Sequence, residues 1–329
     1  MPLSRTLIVP VGALALAVAG WTAVWHWGAN RAEEMIDRAV ASEAANGRVI
    51  QCAERSRGGY PFRLELNCTK PVVELRDESR PTRTIRLERL QVVSQIWSPG
   101  HVIAEWTGPM TATLEGDPAV YSANWRLAQT SAQLAIAGYD SSSAVVDAFE
   151  LSRDGAVLLR ATRGELHTRP NTADPVSLDV VSRLQGATLG SAVQAPVDAE
   201  LQMTARKLLR SPNRPQPLAP RQWQAAGGSI DLVLFRVAQG DAVGIAKGNL
   251  RLTADGKPDG QIELRVANLE SAIQANGLGG TLGAVAAGLN FTSQATDVEG
   301  KPGRLINLRA SEGRLQVGPI RIGLPTLLP

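Results

Sequence analysis

The 329-residue chain is short of the side chains that most often carry chemistry: three histidines, two cysteines and 4% aromatic residues. Charged residues make up 20%, below the roughly 25% usual for soluble domains. Each shortage excludes something. Histidine and cysteine so few and so scattered leave no metal site and no cofactor to expect. With 34 Lys plus Arg against 31 Asp plus Glu the formal charge is only +3, which excludes a nucleic-acid partner held by bulk charge. Phosphate-binding GxxxxGK[ST] and nucleophile-elbow GxSxG motifs are both missing. Residues 277–288, GLGGTLGAVAAG, imitate a dinucleotide loop, yet Leu282 stands where the third glycine belongs and no parallel βαβ frame surrounds it. His101 and His167 stand alone in strand-like segments, and His26 lies in an apolar run. Asp255 and Asp259, with Lys257 and Pro258 between them, fit a polar turn better than a calcium loop. Asn67 and Asn290 head N-x-[ST] triplets, to which no role is assigned. No catalytic residue is expected, although a hydrolase with dispersed residues would leave no mark at this level.

What the chain does have is 44% hydrophobic residues, which rules out wholesale disorder. Its core must be built from Leu, Val, Ile and Ala. Leu7 to Trp27 contains no formally charged side chain over 21 residues, enough at about 1.5 Å per residue to cross a hydrocarbon layer of roughly 30 Å. Trp21, Trp25 and Trp27 crowd its far end, where amphipathic rings settle at headgroup level. A cleaved signal peptide is the competing reading, because Ala17, Val18 and Ala19 precede Gly20 as small residues at a cleavage site would. Tryptophans left at a new terminus argue for retention. Arg5 on one side and Arg31, Arg38 and Arg48 on the other do not fix orientation by count. A six-residue tail and a long following domain favour tail inside and body outside, that is, an inner-membrane protein with a periplasmic bulk.

Ala32, Met35, Ile36, Ala39 and Val40 then recur at helical spacing and stop at Asn46-Gly47, which predicts a separate amphipathic helix over 28–47. From Arg48 the period becomes 2. Phe62, Leu64, Leu66 and Cys68 alternate with polar residues, as do Val197, Ala199, Leu201, Met203 and Ala205, and Ile262, Leu264 and Val266. These are half-buried antiparallel strands. Asp255 to Gly260 reads as the turn joining residues 248–254 to 261–266 in a hairpin. Helical spacing returns at Ala219–Ala226 and at Leu278, Leu282, Val285 and Leu289. The proline-rich SPNRPQPLAP divides the body into halves at 48–210 and 221–329, with 211–220 as linker or crossover and 1–6 as the tail. The expected fold is mainly β (α+β): an anchor helix followed by antiparallel, curved sheets with a few covering helices.

Cys52 and Cys68 are symmetric about Tyr60, so a hairpin turning through Gly58 to Pro61 places them opposite one another. An extracytoplasmic compartment permits a disulfide there. LRATRGELH at 159–167 echoes LRASEGRLQ at 308–316 in five of nine positions, either as a duplicated strand-turn-strand unit or as two hairpins meeting the same local demand. Arginine outnumbers lysine 29 to five. Arg63, Arg86, Arg251, Arg265 and Arg309 fall on the polar sides of strands, where they are solvated or could clasp anionic headgroups.

The anchor, the segment GGYPFRLELNC with its earlier cysteine, and the ending GRLQVGPIRIGLPTLLP resemble the bacterial domain of unknown function 2125 family over nearly the whole chain, with Gly59–Cys68 and Gly313–Pro325 as its sharp motifs. The resemblance implies a membrane-anchored envelope protein and carries over no catalytic residue. More distantly the pattern is similar to AsmA-like envelope proteins, whose sheets curl into lipid-conducting grooves, a likeness of fold that says little about activity. The leading expectation is a protein that binds or shields a lipid or acyl chain in a concave sheet while anchored in the membrane. The alternative is a non-enzymatic structural or scaffolding protein of the envelope with unknown protein partners.

Overall fold

The structure, a computed structural model, describes residues 5–77, 80–135, 138–190, 193–211, 214–271, 293–317 and 320–327. The expected helix at Leu278–Leu289, the glycine-rich stretch 277–288 and Asn290 lie outside them. Two compact units divide the chain between Ala123 and Asn124, whereas the proline-rich stretch at 211–220, where the sequence suggests a break, lies within the second unit.

The first unit opens with α1 (Arg5–Ala45), 41 residues without interruption. Anchor and amphipathic helix are thus one element: Gly28 lowers helix propensity by only about 1 kcal/mol, and good helix formers, Ala29, Arg31, Ala32, Glu33 and Glu34, follow it. Pro10 falls in the second turn, so one backbone hydrogen bond of the ladder is missing there. Of the expected stripe, Ala32, Ile36 and Val40 are half-buried, while Met35 and Ala39 are exposed. The helix stops where glycine is required. Gly47 has φ +79°, its Cβ would lie 2.3 Å from the Arg76 carbonyl oxygen, and the Arg76 N–H donates to Gly47 O at 2.7 Å.

The strands of this unit are β1 (Arg48–Gln51), β2 (Glu54–Gly58), β3 (Arg63–Thr69), β4 (Val72–Asp77), β5 (Arg80–Gln95), β6 (Ser98–Leu114) and β7 (Val120–Asn124). β5 takes β3 and β4 end to end along one edge and β6 along the other. β1 pairs with β4 and β2 with β3 in a single register, Arg48 opposite Leu75 and Arg57 opposite Leu66. The hairpin is therefore centred between Pro61 and Phe62 and not on Tyr60, and Arg55 faces Cys68. Cys52 lies in the break between β1 and β2, across from a kink at Lys70 (φ +47°). It is nevertheless bonded to Cys68, with Cα atoms 5.4 Å apart.

The second unit is an antiparallel meander of β8 (Leu127–Ala135), β9 (Gly138–Arg153), β10 (Ala156–Pro170), β11 (Leu178–Leu189) and β12 (Val193–Arg206). The chain then leaves the sheet for a small hairpin, β13 (Leu209–Ser211) with β14 (Arg214–Pro217), and the short helix α2 (Pro220–Ala225). It returns as β15 (Ser229–Gln239), which pairs directly with β12. β16 (Ala242–Leu252), β17 (Pro258–Ala267), β18 (Gln294–Val298), β19 (Lys301–Ser311), β20 (Arg314–Val317) and β21 (Ile320–Gly323) complete it. β19 accepts β17 on one edge and β18 and β20 on the other. The 248–254 hairpin forms as its alternation implies, Leu252 meeting Pro258.

Register shifts interrupt the ladder between Leu184 and Ala187, Gln202 and Met203, and Leu232 and Phe235. Such bulges bend strands and raise their twist. Gly248 and Gly260, at φ +156° and +152°, bring β16 and β17 so close that a Cβ on either would sit 2.1 Å from a carbonyl oxygen of the facing strand. Buried apolar residues are mostly alanines. Among the described residues a compact cluster forms only where Val298, 1% exposed, packs on Val243 and Ala267.

The sequence echo has no structural counterpart. Residues 159–167 run inside the single strand β10, whereas 308–316 cross from β19 to β20 through a turn at Glu312 and Gly313 with φ +52° and +72°. Gly164 is a strand residue whose Cβ would lie 3.0 Å from Val146 Cγ1; Gly313 is a turn residue.

Candidate functional site: a helix clamp and an amphipathic sheet

In the first unit, the segment that carries the Gly59–Cys68 motif grips α1. Gly59, at φ +91°, would place a Cβ 2.5 Å from the Arg63 carbonyl oxygen, so this tight turn needs glycine. The turn delivers its carbonyls to the helix tryptophans. Trp21 Nε1 donates to Pro61 O at 2.8 Å and Trp25 Nε1 to Arg63 O at 3.0 Å. Thr22 Oγ1 and Tyr60 OH lie 2.8 Å apart. Trp25 meets Tyr60 edge to face at 5.5 Å and is only 6% exposed.

Further along the same helix face the rungs become ionic. Arg57 donates to Asn30 at 2.5 Å and lies 3.5 Å from Glu33, and Arg55 pairs with Asp37 at 2.6 Å. Trp21, Trp25, Ala29, Glu33 and Asp37 recur every four residues, which is why one stripe of α1 meets one strand edge. The tryptophan cluster is visible in the sequence, but its protein partner is not; the only sign of it is the Gly-Gly-Tyr-Pro turn.

In the second unit, side chains on paired residues share a face of the sheet. One cross-strand row reads Leu166, Ser182, Leu201, Phe235, Ala246, Leu264, Ile306. The next reads Thr168, Val180, Met203, Leu232, Gly248, Ile262, Leu308, Val317. This face is mainly apolar from β10 to β20, with Thr168, Ser182 and, opposite Val266, Arg304 as its polar members. Ile306 and Ala246 on it are buried, yet Leu166 and Phe235 remain 43% and 41% exposed.

The opposite face is charged. Glu165, Arg183, Glu200 and Arg236 form a row there by the same registers. Arg163 bridges Asp147 at 2.7 Å and Glu165 at 2.6 Å, and its hydrogen bond holds the Glu165 carboxyl below the usual carboxylate range. Glu200 is lowered by the side-chain hydrogen bond from Gln202 and by Arg183, 3.4 Å away. Arg236 clasps Glu299 with two bonds of 2.7 Å, which lowers that carboxyl and raises the guanidinium. An open hollow of about 270 Å³ lies between Arg183, Asp198, Glu200 and Arg236. Its charges already have partners: Arg183 lies against Glu200, Arg236 is held by Glu299, and Asp198 accepts the Gly186 N–H at 2.8 Å.

The remaining sequence candidates are spread apart. His101 is on β6; His167 on β10 meets Ser143 at 2.8 Å and Glu165 at 3.9 Å. Asp259 pairs with Arg251 at 3.6 Å beside the hairpin turn. Asn67 accepts from Arg89 at 3.0 Å. Arg63 pairs with Glu65, and Arg265 with Glu263 at 2.7 Å. Arg86 and Arg309 are on β5 and β19.

Residues 25–324 match a family described as an uncharacterized protein conserved in bacteria, DUF2125. The chain belongs to the DUF2125 family. The match begins at Trp25, the buried tryptophan of the clamp, and takes in the Gly59–Cys68 turn and every strand of both units. No curated protein and no solved structure matches the chain.

Proposed function

We propose that this DUF2125 protein is a non-enzymatic, single-pass protein of the bacterial inner membrane whose periplasmic β body receives lipid acyl chains. The carrying observation is the mainly apolar face of the second unit, which continues through eight paired strands with Leu166 and Phe235 open to solvent. Large apolar patches left exposed on a soluble surface mark binding sites, and a face lined mainly by Leu, Ile, Val and Met, whose Thr168 and Ser182 hydroxyls are bonded within the protein, suits an alkyl chain more than a polar metabolite. α1 supports the anchoring: it contains a stretch apolar and long enough to cross a membrane, and that stretch is almost wholly unburied. The Cys52–Cys68 disulfide favours an oxidising compartment. Charged residues on the other sheet face are paired with one another and keep that face in water.

The test is native mass spectrometry and lipid extraction on the full-length protein purified in mild detergent. Bound phospholipid is expected, and it should be lost on Leu201→Asp or Leu264→Asp in protein that keeps its circular dichroism. Wild-type protein free of lipid under conditions that preserve a known lipid complex would refute the reading.

A further inference from the structure

The turn that grips α1 is continued by a second turn, between β5 and β6. Ile96 N–H donates to Phe62 O at 3.2 Å, and the rings of Phe62 and Trp97 face each other at 6.3 Å. Phe62 and Trp97 are 60% and 64% exposed, and Tyr60 beside them 48%. In a chain with only 4% aromatics, two adjacent turns thus present three large rings to solvent.

Their height along the helix is fixed. Pro61 is bonded to Trp21 and Arg63 to Trp25, which lie six and two residues before Trp27, or about 9 Å and 3 Å at 1.5 Å per residue. The polar rung to Asn30 and the ionic rungs to Glu33 and Asp37 lie on the other side of Trp27.

From this juxtaposition we infer that the Tyr60–Phe62 and Trp97 turns are a second membrane contact, seated in the headgroup and upper acyl region of the bilayer that α1 crosses. The inference rests on the reading of α1 as a span and adds to it an interfacial foot on the body. Four features favour lipid over protein as the occupant. The patch is continuous with the tryptophan end of the apolar helix, and aromatic side chains are enriched at this depth. Burial of about 5–10 Å is typical of interfacial segments, and the depths of about 9 Å and 3 Å that the Trp21 and Trp25 bonds impose on Pro61 and Arg63 bracket its middle. Arg63, the one charge at the turn, is exposed and paired with Glu65, and its long stem allows the guanidinium to reach headgroups. The charged rungs run away from the patch.

Both native cysteines are disulfide-bonded and none is free, so single cysteines can be labelled without reduction. Full-length Phe62→Cys, Trp97→Cys, Leu16→Cys and Glu88→Cys proteins, each carrying an NBD fluorophore, would be placed in phosphatidylethanolamine–phosphatidylglycerol vesicles with and without nitroxide-labelled lipid. Glu88 is nine residues from the Trp97 tip, about 30 Å along an extended strand, and reports water. Quenching of about twofold at positions 62 and 97, with Leu16 also quenched and Glu88 not, is the expected result. Quenching at 16 but not at 62 and 97 overturns the foot and leaves the span intact. Loss of quenching at position 16 removes the span itself, and the foot with it. Blue-shifted labels at 62 and 97 that lipid nitroxides do not quench would assign the patch to a protein partner or a second copy and also overturn the inference.

Discussion

Replacement of Trp25 separates the two contributions to the helix clamp. The indole is 6% exposed, packs on Tyr60 and donates to Arg63 O at 3.0 Å. Trp25→Phe keeps most of the apolar contact and leaves the carbonyl without its donor, a loss of about 1 kcal/mol. Trp25→Ala also opens a cavity, for a total of about 3–5 kcal/mol. The natural readout is hydrogen exchange of the β2–β3 amides, followed by mass spectrometry on full-length protein in nanodiscs. At about 1.4 kcal/mol per decade, Trp25→Phe should lower protection over 54–66 about fivefold and Trp25→Ala by more than about a hundredfold. The β10–β12 amides of the second unit should be unchanged, since local openings belong to separate cooperative segments. Unaltered protection of the hairpin in Trp25→Ala would refute the claim that the helix and the Gly59–Arg63 turn stabilise one another.

Four further outcomes follow from the same geometry. The paired change Cys52→Ser and Cys68→Ser releases a loop with a separation of 16 residues and should lower the stability of the first unit by about 3 kcal/mol on the chain-entropy account, read as a lower urea midpoint. Gly248→Ala forces a Cβ to 2.1 Å from the Gln261 carbonyl oxygen and should cost about 3 kcal/mol or more, visible as lost exchange protection in β16 and β17. Glu165, Glu200 and Glu299 all have carboxyls lowered from 4.5 in the folded chain. Their contribution is therefore complete above 4.5 and is lost as pH falls through the lower folded values, so the second unit should begin to loosen only in that acidic window. Because the pairs are solvent-accessible, Glu299→Gln should remove at most about 1 kcal/mol of stability at neutral pH and flatten the acid limb of a thermal-shift profile.

Much of the architecture is legible in the residues because period-2 alternation fixes which face is buried. Leu201, Met203 and Ala205 do share a face, and the Leu252–Pro258 hairpin falls where its turn residues lie. The reading fails where backbone irregularity decides. Symmetry about Tyr60 sets Cys52 opposite Cys68, but the true register is offset by three positions, and the break at Cys52 and Ala53 restores the approach. The parity of β15 changes between Leu232 and Phe235, so alternation alone would put Phe235 on the charged face; its pairing with Leu201 puts it on the apolar one. The single helix α1 hides behind a change of side-chain character at Gly28, since a stretch that is apolar all round and an amphipathic stretch of one helix obey different patterns. The clamp is illegible for a different reason: Trp21 and Pro61 are 40 residues apart, and no local periodicity links them.

On the lipid-receiving role proposed for this protein, the anchor and the apolar face are coupled by energetics. Covering a bare sheet with an alkyl chain gains about 0.8 kcal/mol per methylene relative to water, but an acyl chain already in a bilayer has that gain. Transfer from bilayer to sheet is therefore close to neutral in hydrophobic terms, and no length of chain makes the body a strong extractor of lipid from a distance. What remains is access. Occupancy then depends on holding the sheet beside the bilayer, so that a chain passes from one apolar environment to another with little exposure to water. A body detached from α1 would retain the same apolar rows but lose the short path to them. Soluble protein from residue 46 onward should accordingly take up fluorescent fatty acid from water while acquiring phospholipid from vesicles far more slowly than the full-length chain embedded in them. Equal rates in a vesicle-transfer assay would mean that the helix contributes nothing to loading, and the functional reason for joining an anchor to an open sheet would disappear.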